Sequence, residues 1–147
     1  MKSKLIVGWR EWAGLPDFDI PEIKAKIDTG AKTSALHAFR IKKVMRDGCP
    51  WAEFFVHPVQ RRKRPEIKCA APIVDEREVR SSNGVVQTRL VVSARLELGP
   101  FLRTIEMTLT NRDEMGFRLL IGRQALAKRY LVDSSLSYGL GEPGDHI

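Results

Sequence analysis

A chain of 147 residues, 43% of them hydrophobic, has the length of one domain and enough apolar material for its own core, and no run approaches the length of a membrane span. Two cysteines, Cys49 and Cys69, are too few for a disulfide scaffold. The net charge of +7, from 25 Lys and Arg against 18 Asp and Glu, favours an acidic partner such as a nucleic acid, an anionic surface or an acidic peptide.

The start, MKSKLIVGWREW, is basic, but the apolar run Leu5-Ile6-Val7 before Gly8 is too short for a signal-peptide core. A soluble, cytoplasmic protein is therefore expected. Residues 5–9 form a first predicted strand, and Gly14, Pro16 and Pro21 mark a loop after it. Residues 23–28 alternate Ile23, Ala25 and Ile27 against Lys24, Lys26 and Asp28, the two-residue period of a half-buried strand. A Thr29-Gly30 turn follows, and residues 34–39 (SALHAF) resume the strand pattern, as do residues 51–59 (WAEFFVHPV). The basic run QRRKR at residues 60–64 reads as a solvated loop.

Residues 67–74 and 76–80 are extended, with Pro72 arguing for an edge or a bend. Ser81-Ser82-Asn83-Gly84 is the strongest turn signal in the chain, and Asn-Gly between extended runs predicts a hairpin tip. Residues 87–98 alternate with Leu90, Val92, Ala94, Leu96 and Leu98 on one side. Gly99-Pro100 turns the chain into residues 101–110, whose apolar set is Leu102, Ile105, Met107 and Leu109. Residues 117–121 (FRLLI) run up to Gly122. Residues 123–130 (RQALAKRY) give one short basic helix, and the tail is irregular from about residue 137. About seven strands and one helix, at this spacing, predict a single all-β domain over residues 1–147, a sandwich or closed barrel with one short C-terminal helix.

Asp28 can be read in two ways. Asp and Gly are ordinary turn residues, so Asp28 can simply end a strand. The alternative comes from its company: a strand ending in Asp28-Thr29-Gly30, then the hairpin around residues 80–84, then Ile121-Gly122-Arg123 opening a short helix. That order resembles the retropepsin-like aspartic peptidases. DTGAKTSALHA, VRSSNG and LLIGRQAL are also similar to a small bacterial family with that fold, known as ATP-dependent zinc proteases, some of which are associated with ATP-grasp ligases that add glutamates to protein C-termini. The resemblance covers about residues 5–132.

The residues do not carry what that name asks for. There is no Gly-x-x-x-x-Gly-Lys-Ser/Thr loop to cradle phosphates and no His-Glu-x-x-His pair to present zinc. His37, His57 and His146, with Cys49 and Cys69, match no zinc spacing. No cofactor and no metal ligand are expected. His37 is expected to support the active-site strand, His57 to sit half-buried, and His146 to lie in the tail.

The resemblance implies a catalytic Asp28 in a pair of carboxylates that share one proton, because like charges at close range cannot both ionise. The chain has one Asp-Thr-Gly, and Asp133-Ser134-Ser135 lacks the glycine, so the second carboxylate is expected from a second copy in a twofold homodimer. By the same resemblance, Thr29 holds the two loops in register, Gly30 lets backbone approach substrate, and Ala31, Gly122 and Arg123 support the loop. The hairpin of residues 76–90, with its tip at residues 82–84 and with Arg80, Ser81, Ser82, Asn83, Gly84 and Arg89, would be a flap over the substrate. Many retropepsins carry an acidic residue two positions past Asp-Thr-Gly, which pairs with the arginine of Ile-Gly-Arg. Here Lys32 stands there, which leaves the role of Arg123 open. Lys32, Arg80 and Arg89 together would make a basic rim suited to acidic, glutamate-rich peptides.

The expectation is an aspartic endopeptidase acting on protein or peptide, with no membrane contact. Two alternatives stay beside it. One is an inactive peptidase-like module that binds acidic protein or RNA. RNA is the weaker partner, because Trp9, Trp12, Trp51, Phe54 and Phe55 are not interleaved with the basic run as a stacking surface requires. The other is a zinc-dependent peptidase.

Overall fold

Period-two alternation makes most of this chain strand, and in the computed structural model the strands close on themselves. Residues 3–59, 62–80, 84–111 and 116–141 are described. In chain order they form β1 (Leu5–Val7), β2 (Arg10–Leu15), a 3-10 turn (Pro16–Phe18), β3 (Ile20–Asp28), β4 (Ser34–His37), β5 (Phe39–Arg46) and β6 (Cys49–Val56). There follow β7 (Ile67–Arg80), β8 (Val86–Leu98), β9 (Phe101–Thr110), β10 (Leu119–Gly122), the one-turn helix α1 (Arg123–Leu126) and β11 (Tyr130–Val132). Hydrogen bonding runs β2-β3-β10-β4-β9-β8, and the pairing of Gly14 with Glu97 returns β8 to β2. The ring is a closed six-stranded barrel, the all-β class that the strand spacing predicts.

The core fills that barrel. Leu15, Ile20, Ile23, Leu36, Leu96, Leu98, Met107, Leu109, Leu119 and Ile121 are fully buried. The alternation of β8 is realised from Val92 to Leu98, with Leu90 partly buried against the core. In β9, Ile105, Met107 and Leu109 point inward. Leu102 is out of phase with them and is 51% exposed.

β7 is where the architecture turns. Up to Pro72 it pairs with β6, and from Ile73 onward it pairs with β8. Proline has no N–H to give a ladder, so it sits where the strand changes partner, which is the bend that the sequence predicts. Beyond that corner β5 and β6 form an outlying ribbon whose Lys/Arg-rich β5 is mostly exposed. Pro21 lies at a second irregularity, where the β2–β3 register shifts between Ala13 and Leu15.

Four local expectations need correction. Gly14 and Pro21 lie in strands, with only residues 16–19 between those strands, because the β2–β3 turn is short and both residues fall at the register shift between Ala13 and Leu15. Residues 34–39 are two strands, since the chain leaves the barrel at Ala38 and Arg40 takes a positive φ of 51°. The helix stops at Leu126. Lys128 adopts φ 72°, and Tyr130 enters β11, which pairs in parallel with β1. Residues 39–46 are a strand that their high charge concealed.

The tail is irregular but firmly held as far as residue 141. Glu11, fully buried, accepts hydrogen bonds from the backbone N–H groups of Gly8 (2.6 Å), Gly139 (2.8 Å) and Leu140 (3.0 Å). Trp9 donates its N–H to Leu136 O, Tyr138 donates to Arg10 O, and Trp12 stacks on the Tyr138 ring. A Cβ at position 8 would lie 2.3 Å from Leu136 O, so glycine is what permits the approach. Three donors converging on one buried carboxylate replace its lost hydration. Glu11→Gln turns one acceptor into a donor facing donors. It is expected to cost about 2–3 kcal/mol of stability in urea unfolding, and to expose residues 136–141 to proteolysis first.

Candidate active site

Three backbone constraints place Asp28. β3 and β10 run parallel with Asp28 opposite Gly122. Gly122 packs so closely beneath the 31–33 loop that a Cβ there would lie 2.7 Å from the Thr33 carbonyl carbon and 2.9 Å from the Ala31 and Thr33 oxygens. The loop is then stitched down. Arg123 N–H donates to Ala31 O at 2.8 Å, Gln124 N–H to Lys32 O at 3.1 Å, and Gly122 N–H to the buried Ser34 Oγ at 3.0 Å. Asp28 itself is half-buried at the strand end, and its Oδ1 accepts from Gly30 N–H at 3.0 Å. Thr29 and Gly30 are exposed.

Arg123 has a partner that the sequence did not reveal. Its Nη1 donates to the carbonyl oxygens of Gly30 (3.2 Å) and Thr29 (3.5 Å). Backbone oxygens thus serve Arg123 where the resemblance implied an acidic side chain, and Arg123 clamps the loop.

From Asp28 opens a cleft of about 420 Å³. Asp28, Ala31, Lys32 and Thr33 line one end. Its floor is a transverse row contributed by successive strands: Arg77 opposite Arg89, Thr110 opposite His37, and His37 N–H bonded to Arg118 O. Lys32 and Arg89 line the cleft. Arg80 does not. It is exposed at the end of β7, outside the cleft, and the lining arginines missed by sequence are Arg77 and Arg118. Nothing in their local sequence marks them out; only the register of five strands brings them together. Gly84 has φ 85°, as a hairpin turn requires, and β7–β8 pairing ends at Arg80–Val86. Ser81, Ser82 and Asn83 lie outside the described residues.

Arg77 is fully engaged. Its Nε donates to Asp75 Oδ2 (2.9 Å), Nη1 to Thr33 Oγ1 (2.9 Å) and Nη2 to Glu106 Oε1 (3.1 Å). It ties the base of the β7–β8 hairpin to the loop that carries Asp28. The Arg77 hydrogen bond, and next the Glu76 N–H, hold the Asp75 carboxyl below its ordinary value of 3.8.

The zinc alternative meets an unsuitable donor set. His57 Nε2 is 3.2 Å from Glu66 Oε1, and its ring lies against Phe39. Cys49 is exposed opposite Arg46, whereas Cys69 is buried opposite Phe54 with its thiol pushed up to about 12 by burial. Among the described residues no three His, Cys, Asp or Glu side chains converge to hold a metal ion. His146 lies outside the described residues.

A family model described as retropepsin-like aspartic endopeptidase RimB matches residues 6–142. The chain belongs to this RimB-like family. Its architecture accords with that membership: a closed six-stranded barrel and, among the described residues, one short helix. A Legionella pneumophila protein of unknown function has a crystal structure that superposes with a TM-score of 0.79 at 31% identity, over 95% of this chain and 100% of that one. Probable alpha-L-glutamate ligases of Shewanella pealeana and Parasynechococcus marenigrum are 43% and 46% identical over 97% of this chain. The chain spans only 31% and 30% of those relatives' lengths. No helix among the described residues is long and apolar enough to cross a membrane.

Two measurements probe this geometry. Gly122→Ala forces backbone apart beneath the loop and is expected to cost about 1–3 kcal/mol in denaturant unfolding. The Asp75–Arg77 contact has a sign: a carboxyl lowered in the folded state stabilises above its ordinary value, and the contribution fades as pH falls through the lowered one. Amide protection in the hairpin arm should drop relative to the barrel between about pH 6 and about pH 3, and Arg77→Ala should remove that difference.

Proposed function

We propose that this RimB-like chain is an aspartic endopeptidase that acts as a homodimer, with Asp28 of each copy supplying one carboxylate. The observation that carries this reading is the seat of Asp28: a lone carboxylate at a strand end, locked by Gly122 and Arg123, with an exposed Thr29-Gly30 loop and a substrate-sized cleft beside it. One ionised carboxylate takes a proton from a water. The resulting hydroxide attacks the scissile carbonyl carbon while the other, protonated carboxyl donates to its oxygen. Collapse of the tetrahedral adduct breaks the C–N bond: the proton held by the base goes to the leaving nitrogen, and one hydroxyl of the adduct returns its proton to the other carboxylate as the carbonyl re-forms. Thr29 would bond across the twofold axis. The hairpin, including Ser81, Ser82 and Asn83, would close over the peptide and exclude water.

Substrate preference follows the lining. Lys32, Arg89 and Arg118 face the cleft, against Asp28 as its acidic member. Such a field favours acidic peptides. That relatives three times longer are named glutamate ligases supports glutamate-bearing chains as the substrate class. Two free cysteines suit a reducing, cytoplasmic setting.

The test is cleavage of glutamate-rich and neutral peptides by wild type and Asp28→Asn, with sedimentation mass measured on both. Wild type should cleave as a dimer, insensitive to chelator. The folded, dimeric variant should lose at least about 10²–10⁴-fold in rate. Full activity in Asp28→Asn would return Asp28 to a turn residue. Binding of acidic protein or RNA without cleavage by either protein would favour a binding module, and loss of activity with chelator would favour zinc.

A further inference from the structure

The cations of the cleft are not equivalent, and the difference locates a subsite. Arg77 has three protein acceptors, two of them carboxylates, so its charge is matched within the fold. Arg89 and His37 are different. Arg89 Nε and His37 Nδ1 are shielded from solvent and find no hydrogen-bond partner among the described residues. Buried polar atoms without partners cost free energy and are rare in folded proteins, so two in one cavity, one of them the guanidinium N–H of Arg89, call for a partner from outside.

Their placement is set by register. Val91 pairs with Thr108, which puts Arg89 opposite Thr110 two residues further along, and Thr110 pairs with His37. Arg89, Thr110 and His37 thus lie in a row across β8, β9 and β4, and all three line the cleft. Arg118 flanks the row at the β10 end. Arg118 precedes Gly122, the partner of Asp28, by four residues, so the row lies roughly 13 Å from Asp28 along the strand direction. An extended peptide covers that span in about four residues.

We propose that Arg89 and His37 form a carboxylate-binding subsite that recognises an acidic side chain about three or four residues from the scissile bond. The inference rests on the peptidase reading for its place in the cleft, but the recognition itself needs no catalysis. The guanidinium of Arg89 and the imidazole N–H of His37 donate to the carboxylate, and Thr110 stands between them in the row. A carboxylate can come from a glutamate or aspartate side chain or from a free chain end, and the experiment separates the two.

Binding is read on the Asp28→Asn protein by fluorescence anisotropy, with a fluorescein-labelled oligoglutamate peptide, its C-terminally amidated form and an oligoglutamine control. Arg89→Lys keeps the charge but lacks Nε, and His37→Gln tests the second member. Arg62→Gln, in an exposed loop, removes one charge elsewhere. Circular dichroism and sedimentation mass confirm that each variant is folded. Oligoglutamate should bind, amidation should leave affinity within about twofold, and Arg89→Lys and His37→Gln should each weaken it about tenfold or more. Arg62→Gln should change it by less than about twofold. Equal effects of Arg62→Gln and Arg89→Lys, equal binding of oligoglutamine, or no binding of any peptide would overturn the subsite. Loss of binding on amidation would assign the recognition to a chain end and overturn the side-chain assignment. Wild-type cleavage is scored separately. Arg89-dependent binding without cleavage defeats the peptidase reading and leaves the subsite standing; cleavage with no dependence on Arg89 or His37 does the reverse.

Discussion

Everything at the candidate active site depends on the absence of a side chain at residue 122. β10 approaches the loop after Asp28 so closely that the position of a Cβ is already occupied by backbone atoms of Ala31 and Thr33. That approach lets Arg123 and Gln124 donate backbone hydrogen bonds into the loop, and lets the Arg123 guanidinium reach the carbonyls of Thr29 and Gly30. A carboxylate works as a catalyst only when its position is fixed before substrate arrives. Here the fixing is done by main chain, which explains how the loop tolerates Lys32 where an acidic partner of Arg123 is expected.

The same economy appears at the opposite end of the chain. Glu11 is buried without a cationic partner and is satisfied by three backbone N–H groups instead. It draws residues 139–140 onto β2, and with them Tyr138 onto Trp12. β2 in turn closes the barrel through Gly14, and just before it Trp9 O accepts a hydrogen bond from the N–H of Ile27, next to Asp28. The tail is thus coupled to the strand that carries the carboxylate through two contiguous layers of backbone.

The distribution of positive charge has a structural logic of its own. Exposed cations on β5 are spread along a ribbon and pair with carboxylates such as Glu53, Glu66 and Glu76 at the surface, where each contact contributes little. In the cleft, cations are gathered by the sheet onto one face. Arg77 spends its hydrogen bonds on holding the hairpin base against Thr33, whereas Arg89 Nε and His37 Nδ1 find no partner among the described residues.

How much of this could be read from the sequence follows from the range of the interactions involved. Local patterns were legible. The alternation of residues 23–28 and 87–98, the Pro72 bend, and the Asp-Thr-Gly and Ile-Gly-Arg motifs each depend on neighbours a few positions apart. β5 was hidden because its high charge masks the alternation of a ribbon exposed on both faces, and α1 was overlong because helix propensity at Lys128 to Tyr130 gave way to pairing with β1. By itself the sequence determined the all-β class, the strand carrying Asp28 and the family resemblance. Only the tertiary structure decided that Arg80 stands outside the cleft and that Arg77, His37 and Arg118 join Arg89 on its floor. Strand register sets that arrangement, and register belongs to pairings between residues tens of positions apart, which no local pattern encodes.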